Sequence, residues 1–263
     1  MNRIAACIEY DGTNYSGWQR QGHITNTIQE RLESALSKVA DETIHAQCAG
    51  RTDRGVHATQ QIVHFDTSAQ RTTRSWVLGT NTYLPDDISV RWATPVADEF
   101  HARFKAVSRE YHYIVNNCPL SNSALNRNRS TWDYRPLDIA RMQQAGKYLL
   151  GEHDFTSFRA VECQAKSPVK TIHRLHLEQN GTFIVMVIEA NAFLHHMVRN
   201  IMGVLLPIGA GEKGVEWVNE VLDAKDRRMA GVTAPANGLY LTRVSYPKEF
   251  DLPEEPSGII LLR

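Results

Sequence analysis

Apolar residues recur along the chain in two rhythms, every second position or every third and fourth, and the change from one to the other marks out the elements. In residues 3–10, Ile4, Ala6 and Ile8 alternate with other side chains until Asp11-Gly12 signals a turn, which predicts a strand. Residues 27–40 place Ile28, Leu32, Ala35, Leu36 and Val39 at helical spacing, with Asn26 or Thr27 as the N-cap. Residues 44–49 and 60–66 read as strands, 75–80 as a shorter helix, and 88–92 as another strand. The resulting order, β-α-β-β-α-β, is the ferredoxin-like arrangement.

The second half repeats that order without repeating the sequence. A strand is expected at 110–116 and a long helix at 137–150, ended by Gly151. Asn180-Gly181 signals a hairpin between strands at 173–178 and 183–190. Helices at 195–210 and 215–222 and a last strand at 239–244 complete the pattern. The expected fold is α+β, with two ferredoxin-like modules side by side and a central cleft between them. The first module takes residues 1–107, the second 108–246, and a tail at 247–263, carrying Pro253 and Pro256, lies along the surface.

Composition excludes several classes. With 42% hydrophobic and 22% charged residues among 263, the chain can bury an ordinary core, unlike disordered, collagenous or coiled-coil sequences. Apolar stretches such as 204–206 and 259–262 fall far short of the roughly 20 residues that span a bilayer. Met1-Asn2-Arg3-Ile4 runs straight into a strand pattern, and Cys7, Cys48, Cys118 and Cys163 form no Cys-x-x-Cys pair, so a cytoplasmic protein with reduced thiols is expected. Charge is balanced, 29 Lys and Arg against 29 Asp and Glu, so a polyanion must be gripped by a local patch.

The run Cys48-Ala49-Gly50-Arg51-Thr52-Asp53-Arg54-Gly55-Val56-His57-Ala58, between two strands, carries the most chemistry. Its glycines permit close approaches and unusual backbone angles, and Asp53 is one carboxylate among guanidinium groups, which keep it ionised. Taken alone, such a run is also compatible with an arginine-rich turn holding a salt-bridged Asp53.

This run resembles the Gly-Arg-Thr-Asp-x-Gly-Val-His-Ala signature of the tRNA pseudouridine synthase A family. The likeness continues in order through Tyr10-Asp11-Gly12-Thr13-Asn14-Tyr15-Ser16-Gly17-Trp18-Gln19-Arg20-Gln21, Phe100-His101-Ala102-Arg103-Phe104 and Arg109-Glu110-Tyr111-His112-Tyr113. It extends through His153-Asp154-Phe155-Thr156-Ser157-Phe158, Asn191-Ala192-Phe193-Leu194-His195-His196-Met197-Val198-Arg199-Asn200 and Ala234-Pro235-Ala236-Asn237-Gly238-Leu239-Tyr240-Leu241. Arg54 and Glu110 depart from the pattern, where Ala or Lys and a basic residue are usual, and bear on RNA contacts.

The resemblance implies an isomerase that detaches a uracil in the anticodon stem and loop of tRNA, rotates it and rejoins it through carbon, without metal or cofactor. Asp53 aligns with the essential aspartate, acting as nucleophile or as a base toward a sugar proton. Tyr111 aligns with the tyrosine that stacks on the target base and assists proton removal, Arg199 with the arginine that pairs with the carboxylate, and Arg51 with the arginine that fills the space of the flipped base. Leu239 fits an apolar base pocket or a core position equally. Arg20, Arg103, Lys105 and Arg109, with Arg127 and Arg129, are candidates to grip phosphates around the RNA-binding cleft. The partners implied are tRNA and a second copy of the chain as a homodimer.

Other constellations are weaker. His195-His196, His173 with His176, and His153 near Cys163 match no metal-ligand spacing, and no Walker-type phosphate loop is present. The alternative from another class is a noncatalytic RNA-binding protein, such as a tRNA-folding chaperone, on the same modules. Asp53 within its motif favours catalysis.

Overall fold

In the computed structural model, which describes residues 1–20, 22 and 25–254, the opening alternation becomes strand β1 (Asn2–Tyr10), followed by helix α1 (Ile28–Ala40). Thr27 caps α1 by accepting from the Glu30 amide at 3.3 Å, while Glu30 reaches back to the Asn26 amide at 3.0 Å. The strand expected at 44–49 shrinks to β2 (Gln47–Cys48). Its first residues bond elsewhere: the Ile44 amide donates to Ser37 Oγ and the Ala46 amide to Glu33 Oε1, both at 2.9 Å, so helix side chains replace the ladder. Strand β3 (His57–Thr67), helix α2 (Thr73–Tyr83) and strand β4 (Ile88–Val96) follow, each longer than its sequence pattern.

The chain divides into two compact units, with a break between Val107 and Ser108. In the first unit β1 lies between β4 and β3, and β2 adds to β3, with every one of these pairs antiparallel. Helix α1 packs on α2, and α2 packs on β4. The core gathers Ile4, Ile8, Leu32, Leu36, Phe65 and Trp76, all almost fully buried.

The second unit opens with β5 (Ser108–Asn117) and a short strand β6 (Thr131–Asp133) that pairs parallel to it; β6 has no alternation long enough to read from sequence. Helix α3 (Ile139–Lys147) begins after Asp138, whose carboxylate accepts from the Ala140 and Arg141 amides. It ends short of the expected 150 because the amides of Tyr148, Leu149 and Leu150 bond three residues back in a tightened turn. Gly151, at φ +90°, leaves that turn and starts a further unexpected strand, β7 (Gly151–Asp154). Strands β8 (Val169–Asn180) and β9 (Phe183–Ala190) form the hairpin, but Asn180 pairs with Phe183, so the two-residue turn is Gly181-Thr182, one position later than Asn-Gly suggested. Gly181 supplies the positive φ, +59°, at the first turn position.

Helix α4 (Met197–Gly209) starts after His196, which sits in the left-handed region at φ 62°, so the expected first two residues fall outside it. It is apolar almost throughout and is the core element of this unit, packing on α3 and β5. Helix α5 is Trp217–Ala224. In this unit β5, β9, β8 and β7 pair in that order, antiparallel.

Strand β10 (Leu239–Ser245) is the last strand of the described residues. Sequence order grouped it with the second module, but from Tyr240 onward it clusters with the first unit, where Tyr240 and Leu241 pair in parallel with His57 and Ala58. A strand's neighbours are set by topology rather than by sequence adjacency. Beyond Pro247, Phe250 packs edge-on against buried Phe100 at 5.2 Å, so this part of the tail docks instead of merely covering the surface. Pro256 and residues 259–262 lie outside the described residues, as does Gln21.

Candidate active site

Asp53 stands on the turn between β2 and β3, half-buried, with Arg51 and Arg54 exposed on either side. The turn closes through the Val56 amide, which donates to the Asp53 carbonyl at 3.1 Å, and Gly55 takes the left-handed angle, φ +78°, that lets it do so. The segment after β1 braces it. The Trp18 amide donates to the Thr52 carbonyl at 3.0 Å, and the Thr52 hydroxyl shares a 2.8 Å hydrogen bond with the Tyr10 hydroxyl. Buried Gln61 clamps the other end, accepting from the Gly50 amide and donating to the Gly50 carbonyl.

Two glycines in the opening motif are required by close approach. A Cβ on Gly12 would lie 1.9 Å from the Val56 carbonyl oxygen, and one on Gly17 would lie 2.8 Å from that of Thr52, with φ already at +92°. His57 completes the brace. Its ring stacks on Tyr240 at 4.6 Å, and its Nδ1 lies 3.1 Å from both the Gly12 amide and an Asp11 oxygen. The Asp11 carboxyl is held well below the usual range by its hydrogen bond with His57, against the cost of burial, with Thr13 adding two more bonds. Burial also pushes the Cys48 thiol up to about 12, so no thiolate forms beside the motif at neutral pH.

The other candidates on this unit are peripheral cations. Arg20 is exposed, 3.9 Å from Glu33. Arg103 and Lys105 are exposed on a turn in which the Lys105 amide donates to the His101 carbonyl at 3.0 Å. Buried Ala102 anchors this turn, donating its amide to His64 Nδ1 at 3.2 Å and accepting from the Tyr246 hydroxyl at 2.6 Å.

On the second unit, Tyr111 and Tyr113 project from one face of β5, two residues apart. Tyr111 is 8% exposed and meets Phe193 edge to face at 5.1 Å. Tyr113 is fully buried, its hydroxyl within 2.7 Å of both Thr131 Oγ1 and the Pro235 carbonyl. Burial raises its phenol well above the ordinary value; the Thr131 hydrogen bond and the positive charge of Arg199 oppose that rise. Arg199 lies in the first turn of α4, half-buried, and is held by a reciprocal pair: its Nε donates to the Ala234 carbonyl at 2.8 Å and the Ala234 amide donates to the Arg199 carbonyl at 3.2 Å. Leu239 is buried at the start of β10.

Arg109 is half-buried and donates to the Asn191 carbonyl at 3.0 Å, while Arg127 and Arg129 are exposed. The departure at Glu110 has a local explanation. Its carboxylate is buried, paired with Arg174 of β8 and 3.2 Å from His112 Nε2, and Arg174 also lies 3.7 Å from Glu189. A buried charge so paired belongs to the sheet rather than to an RNA-facing surface. Sequence reading assigned no role to Tyr113, Phe193, Gly17 or His57, although each lies in a quoted motif; the motifs were the available signal.

The sequence profile of the tRNA pseudouridine synthase family matches residues 6–105 and 145–247. A tRNA pseudouridine synthase A of Pseudomonas aeruginosa is 57% identical over 258 residues, 98% of this chain and 90% of its own length. One of Alcanivorax borkumensis is 54% identical over 262 residues, 100% of this chain and 98% of its own. The chain belongs to the tRNA pseudouridine synthase family. Asp53, Arg51, Arg199 and Leu239 fall inside the matched spans, whereas Tyr111 and Arg109 lie between them and are covered by the relatives.

Proposed function

We propose that the protein isomerises uridine to pseudouridine in the anticodon stem and loop of tRNA, with Asp53 as its catalytic carboxylate. The observation that carries this reading is the brace around residues 50–57: four independent contacts, from Tyr10, Gly17, Trp18 and Gln61, hold a half-buried Asp53 on a turn of the family signature. Rigid support of one carboxylate is what a reaction needs and what a surface salt bridge does not.

The isomerisation breaks the bond from the ribose C1′ to N1 and forms one to C5; C5 loses a proton and N1 gains one, so nothing is consumed. Asp53 drives the cleavage, either as nucleophile or by removing a sugar proton. Arg199 pairs with that carboxylate, and its guanidinium fork suits two carboxylate oxygens. Tyr111 stacks on the base and assists loss of the C5 proton. Arg51 fills the place of the extruded base, which offsets the few kcal/mol of lost stacking, and Leu239 lines the apolar pocket. Arg20, Arg103, Lys105 and Arg109 take phosphates.

Each unit is read as a variant of the ferredoxin-like module. The order β4-β1-β3-β2, antiparallel throughout, supports this in the first unit, and β5-β9-β8 supplies three strands of the same order in the second. The protein acts as a cytoplasmic homodimer and needs no metal or cofactor. Among the described residues no helix is long and apolar enough to cross a membrane.

Purified protein incubated with unmodified tRNA transcript, followed by mapping of pseudouridine, tests the reading. Wild type modifies the anticodon arm, also in excess chelator, and Asp53→Asn binds the tRNA without converting it. Binding without conversion by wild type would leave the RNA chaperone as the better description.

A further inference from the structure

The guanidinium of Arg227 is half-buried in the second unit, where burial lowers its pKa and no carboxylate is among its hydrogen-bond partners. It spends its donors on neutral acceptors instead. Nη1 donates to the carbonyls of Gly231 at 2.9 Å and Ala230 at 3.4 Å, and Nη2 donates to Asn200 Oδ1 at 3.0 Å and Thr233 Oγ1 at 2.8 Å. The Thr233 hydroxyl donates in turn to Asn200 Oδ1 at 2.7 Å, and Asn200, fully buried on α4, donates to the Phe158 carbonyl at 2.7 Å. One planar cation thus ties the loop at 230–233 to the helix that carries Arg199.

The loop packs closely on that helix. A Cβ on Gly203 of α4 would lie 1.9 Å from the Val232 carbonyl oxygen, and one on Gly231 would lie 2.3 Å from the Gly203 carbonyl oxygen. The next residue after Thr233 is Ala234, whose carbonyl accepts from Arg199 Nε. Arg227, Thr233 and Asn200 therefore fix the acceptor that sets the plane of the Arg199 guanidinium.

We propose that Arg227 is a positioning residue for catalysis, acting through the loop at 230–234 to aim Arg199. The inference rests on the assignment of Arg199 to the catalytic carboxylate. It predicts a defect in the rate of conversion rather than in tRNA affinity, and one that vanishes when Arg199 can no longer form its planar fork.

Single-turnover rates at saturating tRNA, tRNA dissociation constants and thermal midpoints for Arg227→Lys, Thr233→Val, Arg199→Lys and the two doubles with Arg199→Lys test it. Arg227→Lys is expected to slow conversion about 10-fold or more and Thr233→Val about 3-fold, with affinity within about 3-fold of wild type. In the Arg199→Lys background each is expected to cost less than about 2-fold further, because the loop then has nothing left to aim. Thr233→Val removes only a hydroxyl and keeps the test sound if Arg227→Lys folds poorly. Full multiplicative losses in the double variants, or a loss of affinity in place of rate, would overturn the positioning role. Wild-type rates in Arg199→Lys alone would overturn the underlying assignment of Arg199, and the proposal with it.

Discussion

Gly17 touches the backbone of the turn that carries Asp53 more closely than any residue with a side chain could, since a Cβ there would lie 2.8 Å from the Thr52 carbonyl oxygen and 3.1 Å from the Arg54 amide nitrogen. The glycine has no side chain to offer chemistry, and its φ of +92° is strained for any other residue. The opening motif therefore acts as a mould for the turn that carries Asp53, and the expected consequence is specific. Gly17→Ala should destabilise the fold by about 2 kcal/mol and lower the conversion rate beyond what the unfolded fraction explains. Urea unfolding and single-turnover assays on the same sample measure both, and a fully active Gly17→Ala protein would show that the turn does not need its mould.

The two tyrosines of β5 should separate cleanly. Tyr113→Phe leaves the buried ring but removes the hydroxyl that bonds Thr131 Oγ1 and the Pro235 carbonyl, which is expected to cost about 0.5–1.5 kcal/mol of stability. Tyr111→Phe should leave stability and tRNA binding near wild type and slow a late chemical step. Tyr111→Ala should in addition weaken engagement of the base by about 1–3 kcal/mol, the scale of base–aromatic stacking. Equal wild-type turnover in both Tyr111 variants would make that ring merely structural.

On the proposed pairing of Arg199 with Asp53, the arginine either orients the carboxylate or keeps it ionised. An aspartate starts near pKa 3.9, so loss of its partner must raise that value by about three units before protonation limits activity at neutral pH. Misorientation is the smaller step and the expected injury. Raising the pH from 7 to 9 should therefore not rescue Arg199→Leu beyond any change in wild type, and a selective rescue would favour the ionisation role.

Acid sensitivity should come in part from His64. Burial first, then the charges of His101 and Arg3, bring its folded-state pKa from 6.5 to about 4, and its Nδ1 must stay unprotonated to accept from the Ala102 amide. Below pH 6.5 the unfolded chain takes up a proton that the folded chain refuses, so stability falls with acidification down to about pH 4 and is indifferent to this group above pH 6.5. Between pH 7 and 5 the loss should be about 2 kcal/mol, read from urea midpoints. His64→Asn, which retains an acceptor without the titration, should flatten that slope; an unchanged slope would assign the sensitivity elsewhere.

Much of this protein was legible in the residues themselves. The period-two runs of β1 and β9 and the capped periodicity of α1 are local properties, because strand and helix patterning needs only the identity of near neighbours. The motif runs likewise supply the proposed roles of Asp53, Tyr111 and Arg199 from their order along the chain. What stayed hidden was whatever depends on partners distant in sequence. Ile44 and Ala46 look like strand residues, yet side chains of α1 take their amides. β6 is three residues long and exists because β5 lies beside it. Tyr240 and Leu241 follow the second unit in sequence but pair with His57 and Ala58. Arg227 carried no sequence signal, since its tie to α4 runs through Asn200, 27 positions away. The physical reason is common to all of these. Propensity and periodicity act over a few residues, whereas a backbone amide or a buried cation takes the partner that tertiary packing delivers, wherever in the chain it began.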